Sequence, residues 1–481
     1  MEKITVQELL DWTGGLLKQG QKDSVIRSVS IDTRNLKRGD FFIPIAGENF
    51  DGHNFISGAA AKGASGSFFA SGKFIPPSLT PPTRGGEFLP LDGGGKVGVS
   101  KEFILIEVPD TKKAFLALAE NYRRKFKIPV IAITGSSGKT TTKELIAHIL
   151  SASCRVMANA GNFNNEIGLP LSILKLSGAD QAAVLEMGMN HPGEIANLSR
   201  AASPDFGLIT NIGSAHLGFL HSKSRIAAAK AELLSYLKRG CAVLPSDDRF
   251  FPFLASFPVR ERVTFGLKEG ADYFPEDIRF TPEGTHFLLS RKKGKPLPLF
   301  APIFGLFNLR NILAAAALTL HLGVSEDDLA GQLAKFKPAK HRFQVLKIAG
   351  AYIVDDTYNA NPASFREALS TFRRLAGSNR KVIVAGSMAE LGRFSRNSHL
   401  SLGRLLAQVN PDCLILVGPD SETVWEGASS AGLPESRILR AEDNQAAGLL
   451  LQKNLQPGTF AFLKGSRFLK LDEVVARFMI K

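Results

Sequence analysis

Short apolar runs that end in polar or glycine-containing loops recur along this chain, with segments of helical period between them. Val130–Thr134 runs into TGSSGKTT, 182–185 ends at Glu186, and 207–210 ends at Asn211. Residues 140–150 and 224–237 carry the helical spacing. Strands alternating with helices predict a parallel, doubly wound sheet. A second α/β sheet is predicted beyond Gln344, where apolar runs at 352–354, 382–385, 414–417 and 460–463 each meet a polar or glycine-containing loop. Ahead of both, strand-like runs at 41–45 and 103–108 are followed by a helix over 110–125. Asp110 or Thr111 can cap it, and Phe115, Leu118, Ala119 and Tyr122 share one face. Lys127, Ile128 and Pro129 read as a hinge. The Gly- and Pro-rich stretch 76–100 has turn chemistry without periodicity and is predicted to be a mobile surface insertion. The expected fold is therefore α/β in three domains, 1–127, 128–343 and 344–481.

Length agrees: 481 residues is about three domains at roughly 150 residues each. No stretch reaches the ~18 uncharged apolar residues of a membrane span. The N-terminus MEKITVQELLDW lacks the basic and then apolar layout of a signal peptide. Cys154, Cys241 and Cys413 match neither a metal spacing nor a disulfide framework, which suits a reducing cytosol. The expectation is a cytoplasmic protein without stable membrane insertion. The net charge of +14 fits a basic proteome background or attraction to small polyanions. Its basic clusters, such as Arg291, Lys292 and Lys293, are short and lack interleaved aromatics, so no nucleic-acid surface is expected.

The strongest local signal is TGSSGKTT at 134–141, after a strand and opening a helix. Gly135, Ser136, Ser137 and Gly138 can turn backbone N–H groups toward phosphate oxygens, and the helix start adds partial positive charge. Lys139 can reach the β- and γ-phosphates, Thr140 can offer its hydroxyl to Mg²⁺, and Thr141 completes the turn. Ile133 stands where the usual motif has its first glycine. The loop alone indicates a nucleoside triphosphate and no particular reaction. Ligands of a doubly wound sheet bind beyond the carboxyl ends of its strands. Thr140, Glu186 and His216 all fall there, and a hydroxyl, a carboxylate and an imidazole together suit Mg²⁺ or Mn²⁺. Singly each has a bland reading, and the coincidence carries the expectation. Lys230, in RIAAAKAELL, reads by its chemistry alone as a solvated lysine on an ordinary helix.

Together the phosphate loop, Glu186, His216, the AAAKAE segment, FNLRNILAA at 307–315 and HRF at 341–343 resemble the Mur ligases over nearly the whole chain. The segment DTRNLKRGDFFIPIAGENFDGHNFI at 32–56 resembles that family's UDP-binding domain. NFNNEIGLP at 162–170, EMGMNHPGEIA at 186–196, DDTYNANPAS at 355–364 and GSMAELG at 386–392 resemble the branch that adds D-alanyl-D-alanine to UDP-N-acetylmuramoyl-tripeptide. The resemblance implies an N-terminal UDP-sugar domain, a central ATPase domain and a Rossmann-like C-terminal domain. It implies ATP, two Mg²⁺ sites and a carbamylated Lys230 that joins Thr140, Glu186 and His216 around the metals. Lys139, Lys230, Arg342 and His216 would be catalytic. Asn308, Asn311, Arg342 and Asp356 would serve the nucleotide. Asp32, Thr33, Arg34, Asp51, Gly52 and His53 would hold the UDP-sugar, with Asn359 and Asn361 also at the substrate. The reaction implied is ligation through an acyl phosphate by a monomer, with the 386–392 loop and His341 as candidate bases. The rival enzymes are the tripeptide-forming Mur ligase, whose DNPR-type signature is absent, and folylpolyglutamate synthetase, whose phosphate loop lies near the N-terminus. A P-loop NTPase switch is the rival outside the ligases.

Overall fold

The computed structural model describes residues 1–47, 50–73, 103–213, 220–281, 283–292, 294–338 and 340–479. The 76–100 stretch, His216 and Lys293 lie outside the described residues. The chain divides into two compact units. The first is Met1–Ala132, Arg155–Met189 and Gly193–Asp205; the second is Ile133–Cys154, Asn190–Pro192 and Phe206–Lys481.

The first unit opens with a five-stranded sheet of Leu16–Gln19 (β1), Val29–Ser30 (β2), Phe41–Phe42 (β3), Gly66–Ala70 (β4) and Ile104–Val108 (β5), in the order β1-β5-β4-β3-β2. Only β1 runs antiparallel to its neighbour. Helix α1, Thr111–Arg123, follows with Asp110 accepting from the Lys113 N–H as its cap. Its last turn is bolted down by two buried side chains. Tyr122 donates its hydroxyl to the Leu176 carbonyl at 2.6 Å, and Arg123 donates to the carbonyls of Ala202, Phe126 and Ile128. The expected hinge at Lys127–Pro129 therefore lies inside this unit, beside an arginine that satisfies the surrounding carbonyls. The same unit holds the parallel pair Val156–Ala158 (β7) and Ala182–Glu186 (β8), and helix α3, Glu194–Ala202.

Strand β6, Val130–Thr134, is buried throughout and leads into helix α2, Lys139–Leu150. In the second unit, Phe206–Ile209 (β9), Cys241–Pro245 (β10) and Glu261–Phe265 (β11) are parallel and in register. Tyr273–Thr281 (β12), Gly284–Arg291 (β13) and Leu297–Ala301 (β14) then extend the sheet, with β12–β13 and β13–β14 antiparallel. The nine strands follow the order β14-β13-β12-β11-β10-β9-β6-β8-β7. The parallel, doubly wound expectation describes β6 to β11, and the antiparallel extension is an addition to it. Those outer strands are half-exposed and alternate, so they lack the continuous apolar run that marked the inner ones. The helix expected over 224–237 is α4, Lys223–Ala231, and then tightens to a 3₁₀ turn over Glu232–Tyr236. Helix α5, Leu306–His321, is buried along most of its length.

Beyond it lies a six-stranded sheet of Gln344–Ile348 (β15), Ala351–Asp356 (β16), Lys381–Gly386 (β17), Cys413–Val417 (β18), Ile438–Ala441 (β19) and Phe460–Lys464 (β20). Its order is β15-β16-β20-β17-β18-β19, parallel except for β15. Helices α6, Pro362–Ala376, and α7, Ser395–Val409, bury residues in its larger apolar core. Among the described residues no helix is long and apolar enough to cross a membrane.

Candidate active site

The phosphate loop is held open by its own second unit. Gly138, at φ 79°, is the N-cap of α2 and brings no capping side chain of its own. The partial positive charge at the helix start can thus serve an anion. Only glycine fits there. A Cβ on Gly138 would lie 2.2 Å from Asn311 Oδ1, and one on Gly135, at φ 151°, would lie 1.8 Å from Thr210 Oγ1. Asn311 is buried on α5 and donates to Asn308 Oδ1 at 3.3 Å, while Asn308 donates to the Phe304 carbonyl. Both asparagines, expected at the nucleotide, therefore shape the loop from beneath.

The loop's other side rests on residues that the sequence reading did not single out. Asn211 Oδ1 accepts from the Ser137 N–H at 3.1 Å, and its amide donates to Ser137 Oγ at 2.8 Å. Thr210 donates to the Ser137 carbonyl at 2.6 Å, and Ser136 Oγ accepts from the Gly213 N–H at 2.8 Å. The signal available was the Thr-Asn pair at a strand end.

Two lysines converge on one carbonyl. Lys139 and Lys230 each donate to the Gly135 carbonyl at 2.9 Å. Lys230 is only 1% exposed, so the solvated-lysine reading is corrected. Burial, reinforced by the Lys139 charge, pushes its pKa well below the usual lysine value. The small residues around it in RIAAAKAELL let the helix lie close, and Ala227, Ala229 and Ala231 are buried with it.

Arg342 reaches the same loop, with Nη2 3.5 Å from Thr140 Oγ1 and its guanidinium 4.2 Å above the Tyr358 ring. Its neighbours His341 and Phe343 both have positive φ, at 66° and 53°. That conformation is costly for such residues and persists only when the surroundings impose it. Here His341 Nδ1 is 2.7 Å from Asp355 Oδ2, the His341 carbonyl accepts from Tyr358 N–H, and Phe343 donates its N–H to Asp356. Asp356 also accepts from Lys464 Nζ at 2.6 Å. Burial raises the Asp356 pKa despite the Lys464 charge. Lys464 also donates to the Asn359 carbonyl at 3.0 Å. Asn361, expected at the substrate, is the N-cap of α6 in a capping box with Ser364. The 386–392 loop is fixed through its backbone: Met388 N–H donates to Nε2 of the buried His399, and Ala389 N–H donates to Ser466 Oγ.

In the first unit Glu186 ends β8, 2% exposed. Asn159 clamps its backbone at both N–H and C=O, and Asn164 donates to Oε1 at 2.8 Å. Its Oε2 is buried and accepts no hydrogen bond among the described residues. A buried carboxylate oxygen left bare is costly unless a cation completes it. The expected UDP-sugar residues lie in the same unit. Asp32 takes a paired contact from Arg34, which holds its pKa below the carboxylate range, and Thr33 accepts from Lys62. Asp51 caps the turn that begins at Gly52. It bonds the His53 N–H and Lys73 Nζ, with His53 Nδ1 also in contact, and these hold its carboxyl well below the usual value. His53 Nε2 accepts from Ala70 N–H, so Nδ1 carries the proton toward Asp51.

Comparisons with known proteins agree with this chemistry. The Mur ligase middle domain matches residues 133–319, the Mur ligase glutamate ligase domain 341–467, and the Mur ligase family catalytic domain 25–78. The UDP-N-acetylmuramoyl-tripeptide–D-alanyl-D-alanine ligase of Bacillus subtilis (strain 168) is 33% identical over 477 residues, covering 99% of this chain and 98% of its own. The enzyme of that name from Escherichia coli (strain K12) is 32% identical, covering 99% and 98%. The crystal structure of MurF from Acinetobacter baumannii superposes with a TM-score of 0.85 at 32% identity over 100% of both chains. The MurF ligase of Thermotoga maritima in complex with ADP gives 0.79 at 29% identity, over 94% of this chain and 97% of its own. With relatives matched end to end and the phosphate loop, its arginine and its buried lysine in place, the chain belongs to the Mur ligase family.

Proposed function

We propose that this chain uses ATP to join D-alanyl-D-alanine to UDP-N-acetylmuramoyl-tripeptide, giving the pentapeptide for peptidoglycan synthesis. The observation that carries the reading is the glycine-shaped phosphate loop with Arg342 set against Thr140, in a chain that aligns end to end with ligases of that name. Residues 1–127 are proposed to hold the UDP-muramoyl peptide, 128–343 the ATP and 344–481 the dipeptide.

A carboxylate is a poor acyl donor because oxide is a poor leaving group. In the proposed reaction a tripeptide carboxylate oxygen attacks the γ-phosphorus and ADP leaves, giving an acyl phosphate. The dipeptide amine then attacks the acyl carbon, and phosphate departs from the tetrahedral species. Phosphoryl transfer is mostly positioning and charge neutralisation. Lys139 and Arg342 supply cations, and the N-terminus of α2 adds its dipole. Gly135, Ser136, Ser137, Gly138 and Thr141 wrap the phosphates. Asn308 and Asn311 support the loop from α5, and Asp356 serves the ribose side. Of the two candidate bases, His341 is favoured because Asp355 takes Nδ1 and leaves Nε2 for the amine proton.

The bare Oε2 of Glu186 fits a divalent cation, and the Thr140 hydroxyl is proposed as another oxygen ligand. His216 and Lys230 are further proposed Mg²⁺ ligands, two such ions being expected. A buried neutral amine is the form that adds to CO₂, and the product, a carbamate, is an anionic oxygen ligand. Bound Mg²⁺ would neutralise charge on the triphosphate oxygens. In the UDP-sugar site Asp32, Thr33, Arg34, Asp51, Gly52 and His53 are proposed contacts, and Asn359 and Asn361 shape the dipeptide side.

Phosphate release from ATP, measured with UDP-muramoyl-tripeptide and with or without D-alanyl-D-alanine, tests the proposal. Release that needs both substrates supports it. Release indifferent to either would leave a plain nucleotidase.

A further inference from the structure

Three parallel strands of the second unit begin level with one another. Phe206 of β9 is paired in register with Cys241 of β10, and Cys241 with Glu261 of β11. In-register residues of neighbouring strands project to the same face of a sheet. His321, the last residue of α5, lies over that corner. Its Nε2 is 3.2 Å from Glu261 Oε2, and its ring meets the edge of Phe206 at 6.2 Å between centroids. The Cys241 sulfur, a Glu261 oxygen and a His321 nitrogen all lie within 4.8 Å of one another. It is the one such group of His, Cys, Asp and Glu found among the described residues.

We propose that Cys241, Glu261 and His321 bind one zinc-class divalent cation at the N-terminal edge of these strands, apart from the nucleotide chemistry. The donors are one thiolate, one imidazole and one carboxylate, the set that Zn²⁺ takes in tetrahedral sites and that Mg²⁺ does not. Metal–ligand bonds of ~2.0–2.3 Å place tetrahedral ligand atoms roughly 3.3–3.8 Å apart, so a small closing movement suffices. The two partly exposed side chains can supply it, while Cys241 is fixed at 3% exposure. Water takes the fourth position from the open side. On binding, the Cys241 thiol loses its proton to solvent as the metal–sulfur bond forms, so each cation bound releases one proton.

The phosphate loop leaves the other end of the sheet: β9 runs from Phe206 to Ile209 before Thr210 and Asn211 meet it. Four residues of strand place the two locations on the order of 13 Å apart or more. The cation would tie β10 and β11 to the C-terminal end of α5, the helix whose first turns carry Asn308 and Asn311.

The full chain, stripped with EDTA and kept in saturating Mg²⁺, is titrated with Co²⁺. A near-ultraviolet thiolate-to-cobalt band that saturates at one equivalent is expected, bleached by Zn²⁺ and unchanged in C154S. Cys241→Ser should abolish it. His321→Gln and Glu261→Gln, at partly exposed positions that leave the fold intact, should each weaken binding by about tenfold or more. Zn²⁺ should raise the melting temperature of the wild type and raise that of H321Q by less at the same concentration. No band in the wild type, a band that survives in C241S, or unchanged Co²⁺ affinity in H321Q overturns the proposal.

Discussion

Replacing Gly138 by alanine should weaken ATP binding without unfolding the chain. Gly138 caps α2 at φ 79°, where an L-residue with a Cβ costs about 1–2 kcal/mol. The added Cβ would come 2.2 Å from Asn311 Oδ1 and 2.9 Å from its Cγ. Asn311 is 4% exposed and cannot swing into solvent, so it must shift and lose its 3.3 Å bond to Asn308, at about 0.5–1.5 kcal/mol. Reduced entropy of the unfolded chain returns about 0.4–1 kcal/mol. In the folded chain the strain and the lost bond sum to about 1.5–3.5 kcal/mol, and where the loop must be rebuilt to take phosphate this corresponds to a roughly 12- to 400-fold weaker Kd, the unfolded-chain contribution entering stability alone. Gly193 supplies the control. It too caps a helix at φ 89° in the left-handed region, but a Cβ there meets nothing within 4 Å among the described residues. G193A should therefore show the strain alone. Calorimetric titration with a non-hydrolysable ATP analogue, paired with thermal melts, separates the two effects. If G138A bound nucleotide within twofold of G193A, the close approach to Asn311 would not shape the loop and the reasoning would be refuted.

Lys230→Met should abolish ligation while sparing stability, because the Gly135 carbonyl keeps its bond from Lys139. In CO₂-free buffer the folded chain releases the Lys230 proton well below pH 10.5 and the unfolded chain keeps it, so wild-type stability rises with pH in that window. Measured by urea unfolding as pH is raised toward 10, wild type should gain on K230M by at most about 1.4 kcal/mol per pH unit, and a flat difference would count against it. Lys464→Met leaves the mostly buried Asp356 with the Phe343 N–H as its remaining hydrogen bond among the described residues and the Arg342 charge nearby, so chemical denaturation should show a loss of about 3 kcal/mol, partly recovered in the K464M/D356N double variant. Arg342→Lys loses both the stacking on Tyr358 and the planar fork, so kcat should fall by about 10³ or more with little change in ATP affinity. Steady-state kinetics with equal kcat for R342K and wild type would remove Arg342 from the transition state.

The phosphate loop was legible in the sequence because its shape is a local matter. Glycines at positions 135 and 138 are needed for backbone angles and close approaches, and the flanking strand and helix announce themselves by periodicity. Glu186 was legible for the same reason, standing where an apolar run stops. What only the tertiary structure decided was desolvation and pairing between distant segments. Lys230 has the local sequence of a surface lysine, and only its burial against Gly135 turns it into an amine of depressed pKa. Asn361 also caps α6, a role that its expected place at the substrate did not announce, while Asn211 reads as a strand end and proves to hold the loop. The left-handed turns at His341 and Phe343 follow from bonds to Asp355 and Asp356, residues more than a dozen positions away. Backbone preference is written residue by residue along the chain. The removal of water from a charged group depends on everything packed around it, and no single segment encodes that.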